Sequence, residues 1–202
     1  TKQKLLKPGH TKKSDMLDTN RNIQMKKKKK GNDVERFYKS DVESKTKLID
    51  AYFSQHFLNS SDFLLFFRAN KPNDLLSNAV LLLGHLTKNW NIIHFDPKED
   101  AEHWTELNVP SNFSLGLVKL YKYNGHKPTT QSKFLEPIQI FGTSGTTSQS
   151  KLVPITRSRL FYNLEASEEL YTNCKKMLSV MPLGHVNAMC GAITYCIIRG
   201  ID

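Results

Sequence analysis

Ile138-Gln139-Ile140-Phe141-Gly142-Thr143-Ser144-Gly145-Thr146-Thr147-Ser148-Gln149-Ser150-Lys151 is the stretch on which the reading of this chain turns. Its first four residues are apolar enough to make a short strand. The Gly, Ser and Thr residues that follow let the backbone turn tightly and aim successive N–H groups inward, which makes an anion nest with hydroxyls as extra donors. Lys151 adds a full positive charge at the far end. A polyphosphate, which needs several donors at once, suits such a loop. The composition by itself equally describes a polar surface loop. A Walker A loop is excluded: Ser150 stands at its second glycine position, and Leu152 follows the lysine where Ser or Thr would hold Mg²⁺.

Around this stretch the spacing predicts alternating elements. Val34 to Leu58 has helical spacing, at Val34, Phe37, Tyr38, Leu48, Ile49, Tyr52 and Phe53. Phe63–Phe67 reads as a buried strand. Asp74 is a plausible N-cap for an apolar helix over Leu75–Leu86. Ile92–Phe95 reads as a second strand, stopped by Asp96-Pro97. Strand, helix, strand over about forty residues predicts a βαβ unit with parallel strands. Glu99–Leu107 reads as a short helix, and 108–136 as polar and irregular. Ser158–Leu170 is predicted helical, Leu178–Met181 a short strand, and Ala188–Ile198 a buried helix. The fold class is therefore α/β, with mixed or parallel sheets flanked by helices.

The chain has 202 residues and a net charge of +10. That charge first points to nucleic acid or an anionic membrane. Residues 1–30 hold eleven basic and two acidic side chains, a balance of +9; residues 31–202 hold eighteen and seventeen, a balance of +1. The basicity belongs to the front of the chain. A segment with so few large apolar residues cannot bury a core, so residues 1–33 are expected to be a disordered basic tail, and 34–202 the folded unit. Cys174, Cys190 and Cys196 are odd in number and form no CxxC pair, which favours a reducing compartment over a disulfide framework. No stretch is long and apolar enough to predict a transmembrane segment. A cytoplasmic location is the expectation.

Thr143-Ser144-Gly145-Thr146-Thr147, with Lys151 four residues on, resembles the ATP-binding signature of the acyl-adenylate-forming (AMP-binding) superfamily. Its members include acyl-CoA synthetases, aryl-CoA ligases and peptide-synthetase adenylation domains. The usual loop reads T-S-G-T-T-G-x-P-K-G; here Ser148, Ser150 and Leu152 depart from it. Downstream, Pro182-Leu183-Gly184-His185-Val186-Asn187-Ala188 resembles the family's P-L-F-H-x-N-G segment. Gly184 stands where Phe is usual and Ala188 where Gly is usual. Upstream, Phe63 to Asp96-Pro97 is similar to the family's strand, helix, strand and D-P turn. The resemblance covers about residues 34–202.

The resemblance implies a two-step ligase. A small carboxylic acid attacks ATP to give an acyl-adenylate and pyrophosphate; a thiol of coenzyme A or of a carrier protein's phosphopantetheine then displaces AMP. It implies that Thr143, Ser144, Gly145, Thr146, Thr147, Ser148 and Lys151 bind the ATP phosphates. It implies an acyl pocket at Gly184, His185 and Asn187. His185 is the catalytic candidate, shaping the carboxylate end of that pocket rather than acting as a base, because a carboxylate needs no deprotonation near neutral pH. Mg²⁺ is expected to arrive with ATP, and no protein metal site is read. The family's adenine-binding loop, ribose-binding Asp and C-terminal catalytic Lys come later than Asp202. The chain is thus expected to be the N-terminal part of a longer ligase, inactive in adenylation alone. Two alternatives stand beside this reading: a non-catalytic ATP-binding protein, and a protein that docks its polybasic tail on nucleic acid or anionic membrane. No specific nucleic-acid partner is predicted. The remaining histidines, His10, His56, His85, His94, His103 and His126, read as ordinary polar residues, and Trp90 and Trp104 as packing.

Overall fold

The computed structural model describes residues 24–28, 34–57, 65–100, 102–109, 116–125, 136–143, 151–171 and 173–199. Eight strands and four α-helices make up most of it. They run in the order β1 (Gln24–Lys28), β2 (Val34–Tyr38), α1 (Lys39–His56), β3 (Leu65–Ala69), α2 (Leu75–Thr87), β4 (Ile92–Ile93), β5 (Trp104–Leu107), β6 (Val118–Tyr123), β7 (Ile138–Thr143), β8 (Lys151–Thr156), α3 (Arg157–Tyr171) and α4 (Thr194–Arg199). A 3₁₀ turn, Pro97–Asp100, precedes β5, and a π-helical stretch, Asn187–Ile193, runs into α4.

β1 and β2 form an antiparallel pair of their own. The other six strands make one mixed sheet in the order β5-β6-β3-β4-β7-β8. β3, β4 and β7 are parallel neighbours at its centre. β6, β5 and β8 add to them antiparallel. The β3–α2–β4 unit is thus the expected βαβ crossover. Pro154 lies in β8, whose outer side has no neighbouring strand among the described residues; a residue without an N–H is tolerated on such an edge strand.

α2 is the central helix. Its residues Leu76–Leu82 and Gly84–Leu86 are all buried, as expected for a helix apolar on every side. Val80 and Leu81 pack with Val42, Ile49 and Phe53 of α1 and with Phe67, Ala69, Ile92, Val118 and Leu120 of the sheet. Leu82 and Leu86 join Phe141, Leu160, Leu164, Met189 and Ile193 in a second cluster. The opposite sheet face buries Phe66, Ile93, Tyr121 and Ile138 around Trp104. Trp104 meets Phe66 edge-on at 5.2 Å between ring centres. Both tryptophans are packing residues, as read.

Asp74 caps α2 as expected: its Oδ2 accepts from the Ser77 N–H at 2.9 Å. Asp74→Ala should therefore lower stability by about 1 kcal/mol. A melting point unchanged within about 1 °C would contradict this. Helix α2 stops where Asn89 takes the left-handed conformation at φ 59°, which Asn tolerates better than most residues.

Several local expectations are corrected. Val34–Tyr38 is a strand, not the start of α1; five residues are too few for their spacing to tell the two apart. Glu99–Leu107 is not a helix: the 3₁₀ turn ends at Asp100, and Trp104–Leu107 pairs with β6. The region 108–136 contains β6, in which the alternation of Val118-Lys119-Leu120 is put out of phase by the neighbouring Tyr121. Leu178–Met181 pairs with no strand among the described residues. Leu178 is 87% and Val180 83% exposed, so the segment has apolar strand-like composition but joins neither the sheet nor the core. Ala188–Ile198 is a buried helix as read, but its first part winds as a π-helix.

Candidate functional site

In open α/β sheets, ligands bind outside the carboxyl ends of the parallel strands. Here those ends are Ala69 of β3, Ile93 of β4 and Thr143 of β7, all at one edge of the sheet. The hydroxyl-rich stretch leaves from the last of them. Thr143 and Lys151 are register partners and the final pair of the β7–β8 ladder. Both ends of the loop are therefore held together by backbone bonds. Ser144, Gly145, Thr146, Thr147 and Ser148 lie outside the described residues. Lys151, expected at the end of a loop, instead begins β8 and is exposed. That position puts its charge at the mouth of the hairpin.

The chain leaving β4 runs beside this hairpin. The His94 N–H donates to Ile140 O at 2.9 Å. The His94 ring stacks on Phe141 at 4.2 Å with planes 11° apart. His94 Nε2 lies 2.9 Å from Gln139 Oε1, a geometry in which the imidazole donates. Burial pushes this imidazole down to about 4, so the ring is neutral near pH 7. Gly142 sits against Phe95, where a Cβ would come to 3.2 Å from the Phe95 Cβ. Arg68, from β3, closes this corner: its Nε donates to Phe95 O at 2.8 Å, and its guanidinium stands 3.8 Å from Asp96.

The second predicted segment reaches the same edge. Pro182-Leu183-Gly184-His185 forms a turn closed by the His185 N–H donating to Pro182 O at 2.9 Å. A methyl group on Gly184 would stand 3.8 Å from His94 O, an ordinary contact. Gly184, Arg68, Asn78, Ile93 and His94 line one small cleft. His185 is exposed; its Nδ1 accepts from the Asn187 N–H at 3.2 Å, which leaves the ring proton on Nε2. The His185 carbonyl accepts from the Met189 N–H at 3.0 Å and opens the π-helical stretch. The π register is held by Thr194, whose hydroxyl donates to Met189 O at 2.5 Å. Such stretches occur frequently at functional sites.

The structure therefore brings Thr143 to Lys151, and His185 to Asn187. It joins the two groups through the chain at His94 and Phe95. His94 was read as an ordinary polar residue, and no spacing rule marks it. Its partners lie 45 and 47 positions away, and only the pairing of Ile92 with Gln139 brings them together. Among the described residues no three His, Cys, Asp or Glu side chains cluster as metal ligands. None of the described helices is long and apolar enough to cross a membrane.

A mixed sheet with a parallel core, one of whose parallel strands leads into a hydroxyl-rich stretch closed by Lys151, defines an α/β protein with a candidate ligand site at the carboxyl edge of its sheet. Comparison with protein families carries this further: the model described as AMP-binding enzyme matches residues 54–202. The chain belongs to the AMP-binding enzyme family. Membership implies ATP as the nucleotide, usually with Mg²⁺, and a small acid as substrate. Comparison with curated proteins found no match.

Proposed function

We propose that this protein belongs to the AMP-forming acid–thiol ligases of the acyl-CoA synthetase type. The observation that carries the reading is the β7–β8 hairpin of an AMP-binding family member, with Thr143 and Lys151 in register at the carboxyl edge of a parallel sheet. In the first step a carboxylate oxygen bonds to the α-phosphorus of ATP, and the bond to the β-phosphate oxygen breaks. Pyrophosphate leaves. An anion is here brought to a polyanion, so the step needs positioning and charge neutralisation more than proton transfer. Thr143, Ser144, Gly145, Thr146, Thr147, Ser148 and Lys151 supply donors for the departing β- and γ-phosphates. Mg²⁺ arrives on ATP and shares their charge. Gly184, His185 and Asn187 shape the acyl pocket, with His185 at its carboxylate end. In the second step a thiol sulfur, from coenzyme A or a carrier-protein phosphopantetheine, attacks the acyl carbon and AMP leaves. Residues 54–202 carry the phosphate loop and part of the acyl pocket. The setting is cytoplasmic.

The test is acid-dependent exchange of labelled pyrophosphate into ATP by the full-length gene product. Aliphatic, aromatic and amino acids serve as the panel. Exchange is expected with one class. Lys151→Ala should raise KM for ATP about ten-fold, equal to about 1.4 kcal/mol, without lowering the melting point. Nucleotide binding without exchange for any acid would favour the non-catalytic ATP-binding alternative. Absence of nucleotide binding would refute both.

A further inference from the structure

We propose that His94 is a positioning residue of the site: through its ring it anchors the carboxyl end of β4 to β7, and through its carbonyl it seats the Gly184–His185 turn. β4 is only two residues long, so little ladder holds its end. Beyond Ile93 the chain is attached to β7 by the His94 amide on Ile140, the stack on Phe141, and the hydrogen bond to Gln139. Phe141 stands two residues before Thr143, at the root of the hydroxyl-rich loop. Gln139 is fully buried, and its Nε2 has no partner. His94 is therefore the described partner of that amide, and replacing it leaves the amide wholly unpaired in the interior. On its other side His94 lines one small cleft with Gly184, close enough that a methyl group on Gly184 would be in van der Waals contact with the His94 carbonyl. Gly184 leaves the turn close to the β4 end, and His185 follows directly. The ring on β7 and the carbonyl on the turn belong to one residue. The position of His185 relative to the end of β7 thus depends on how His94 is held.

The catalytic meaning of this link rests on the function proposed above; the link itself does not. It is tested by native-state hydrogen exchange, followed by NMR on the full chain without nucleotide. The reporters are the His185 amide, bonded to Pro182 O, and the Leu120 amide in β6 as a remote reference. His94→Ala should speed exchange at His185 by about ten-fold or more, with little change at Leu120. His94→Phe, which can keep the stack but not the hydrogen bond to Gln139, should give an intermediate effect. It also serves as the test if the alanine variant does not fold. Equal acceleration at both reporters would show a general loss of stability and overturn the proposal. So would no change at His185. A positive result beside a failed pyrophosphate exchange would sink the ligase reading and leave this one standing.

Discussion

Gly84→Ala is expected to destabilise the protein by about 3 kcal/mol, although alanine is the better helix former. Gly84 lies inside α2, where helix propensity alone would favour the change by about 1 kcal/mol. The space beside it decides the sign. A Cβ there would come within 2.0 Å of Trp90 Cε3 and 2.4 Å of Cδ2. The indole cannot step aside. It is fully buried, stacks on Phe67 at 4.3 Å between ring centres, and donates from Nε1 to Asp50 Oδ1 at 3.0 Å. Asp50 is in turn paired with Lys88 at 3.3 Å. Either the ring leaves a three-sided seat or α2 lifts from the sheet. Urea unfolding should show the loss, and the melting point should fall by roughly 6–12 °C for a domain of this size. A double-mutant cycle with Trp90→Leu isolates the cause. Trp90→Leu alone should also destabilise, by about 3 kcal/mol through the cavity it leaves. The two changes together should cost clearly less than their sum, because the smaller residue makes room for the methyl group. A Gly84→Ala protein as stable as the parent would refute the steric argument.

That glycine marks the limit of what the sequence made legible. The βαβ unit could be read because α2 is a long apolar run with a visible cap at Asp74 and flanking apolar segments. Its burial on every side followed from composition. That Gly84 is the point where Trp90 approaches did not, since contact depends on how the Lys88-Asn89-Trp90 turn folds back over the helix. Short elements were harder. Trp104–Leu107 and Val118–Tyr123 are strands because they find each other and β3, not because of strong patterns of their own. Leu178–Met181 is the converse case. Its pattern is strand-like, yet pairing needs a neighbour, and the segment lies beside no strand with which it pairs among the described residues. Propensity supplies half of a strand, and the other half is an open edge.

The site was legible in the same uneven way. Thr143 and Lys151 were found from residue order, and the ladder places them opposite each other. Gly184, His185 and Asn187 were found from a short segment, and two of them are joined by a hydrogen bond. His94, which lies between the two groups, had no signal. A histidine of this kind is recognised by what surrounds it, and its surroundings come from three strands and a turn. Linear motifs therefore marked the residues expected to face a ligand, while the residue that holds their spacing emerged only from the pairing of β4 with β7.

Stability should fall steeply as pH drops from about 6.5 to 4, because one buried and one half-buried histidine are held neutral in the folded chain. Burial pushes both His85 and His94 down from 6.5 to about 4. For His85 the hydrogen bond to Trp90 O pulls the other way but does not win, and the charge of Arg157 adds to the lowering. The geometry agrees. His85 is fully buried, and its Nδ1 lies 2.8 Å from Trp90 O, so Nδ1 carries the proton. Nε2 has no partner, and a proton added there would be a buried, unpaired charge. The sign follows from the direction of the shift. The unfolded chain, with histidines near 6.5, binds protons that the folded chain refuses. The stabilising effect is complete above about 6.5 and is lost as pH falls toward the folded value near 4. A shift of this size is worth about 3 kcal/mol for fully enclosed His85, and less for half-buried His94. A charge on His85 also disfavours one on His94. The carboxyls of Glu106, held down by Lys119, and Glu136, where hydrogen bonds from Ser158 outweigh the opposing effect of burial, lie below their ordinary value. Their contribution fades only at the acid end of this window, so pH 5 and above isolates the histidines. Urea unfolding at pH 7, 6 and 5 should give steadily smaller free energies. In His85→Gln the slope over that range should fall below half that of the parent, whatever its absolute stability. An unchanged slope in both His85→Gln and His94→Gln would show that the titrating groups lie elsewhere. Because His94 links β4 to the turn carrying His185, its protonation should loosen that turn before the core opens, and exchange at the His185 amide should rise first as pH is lowered.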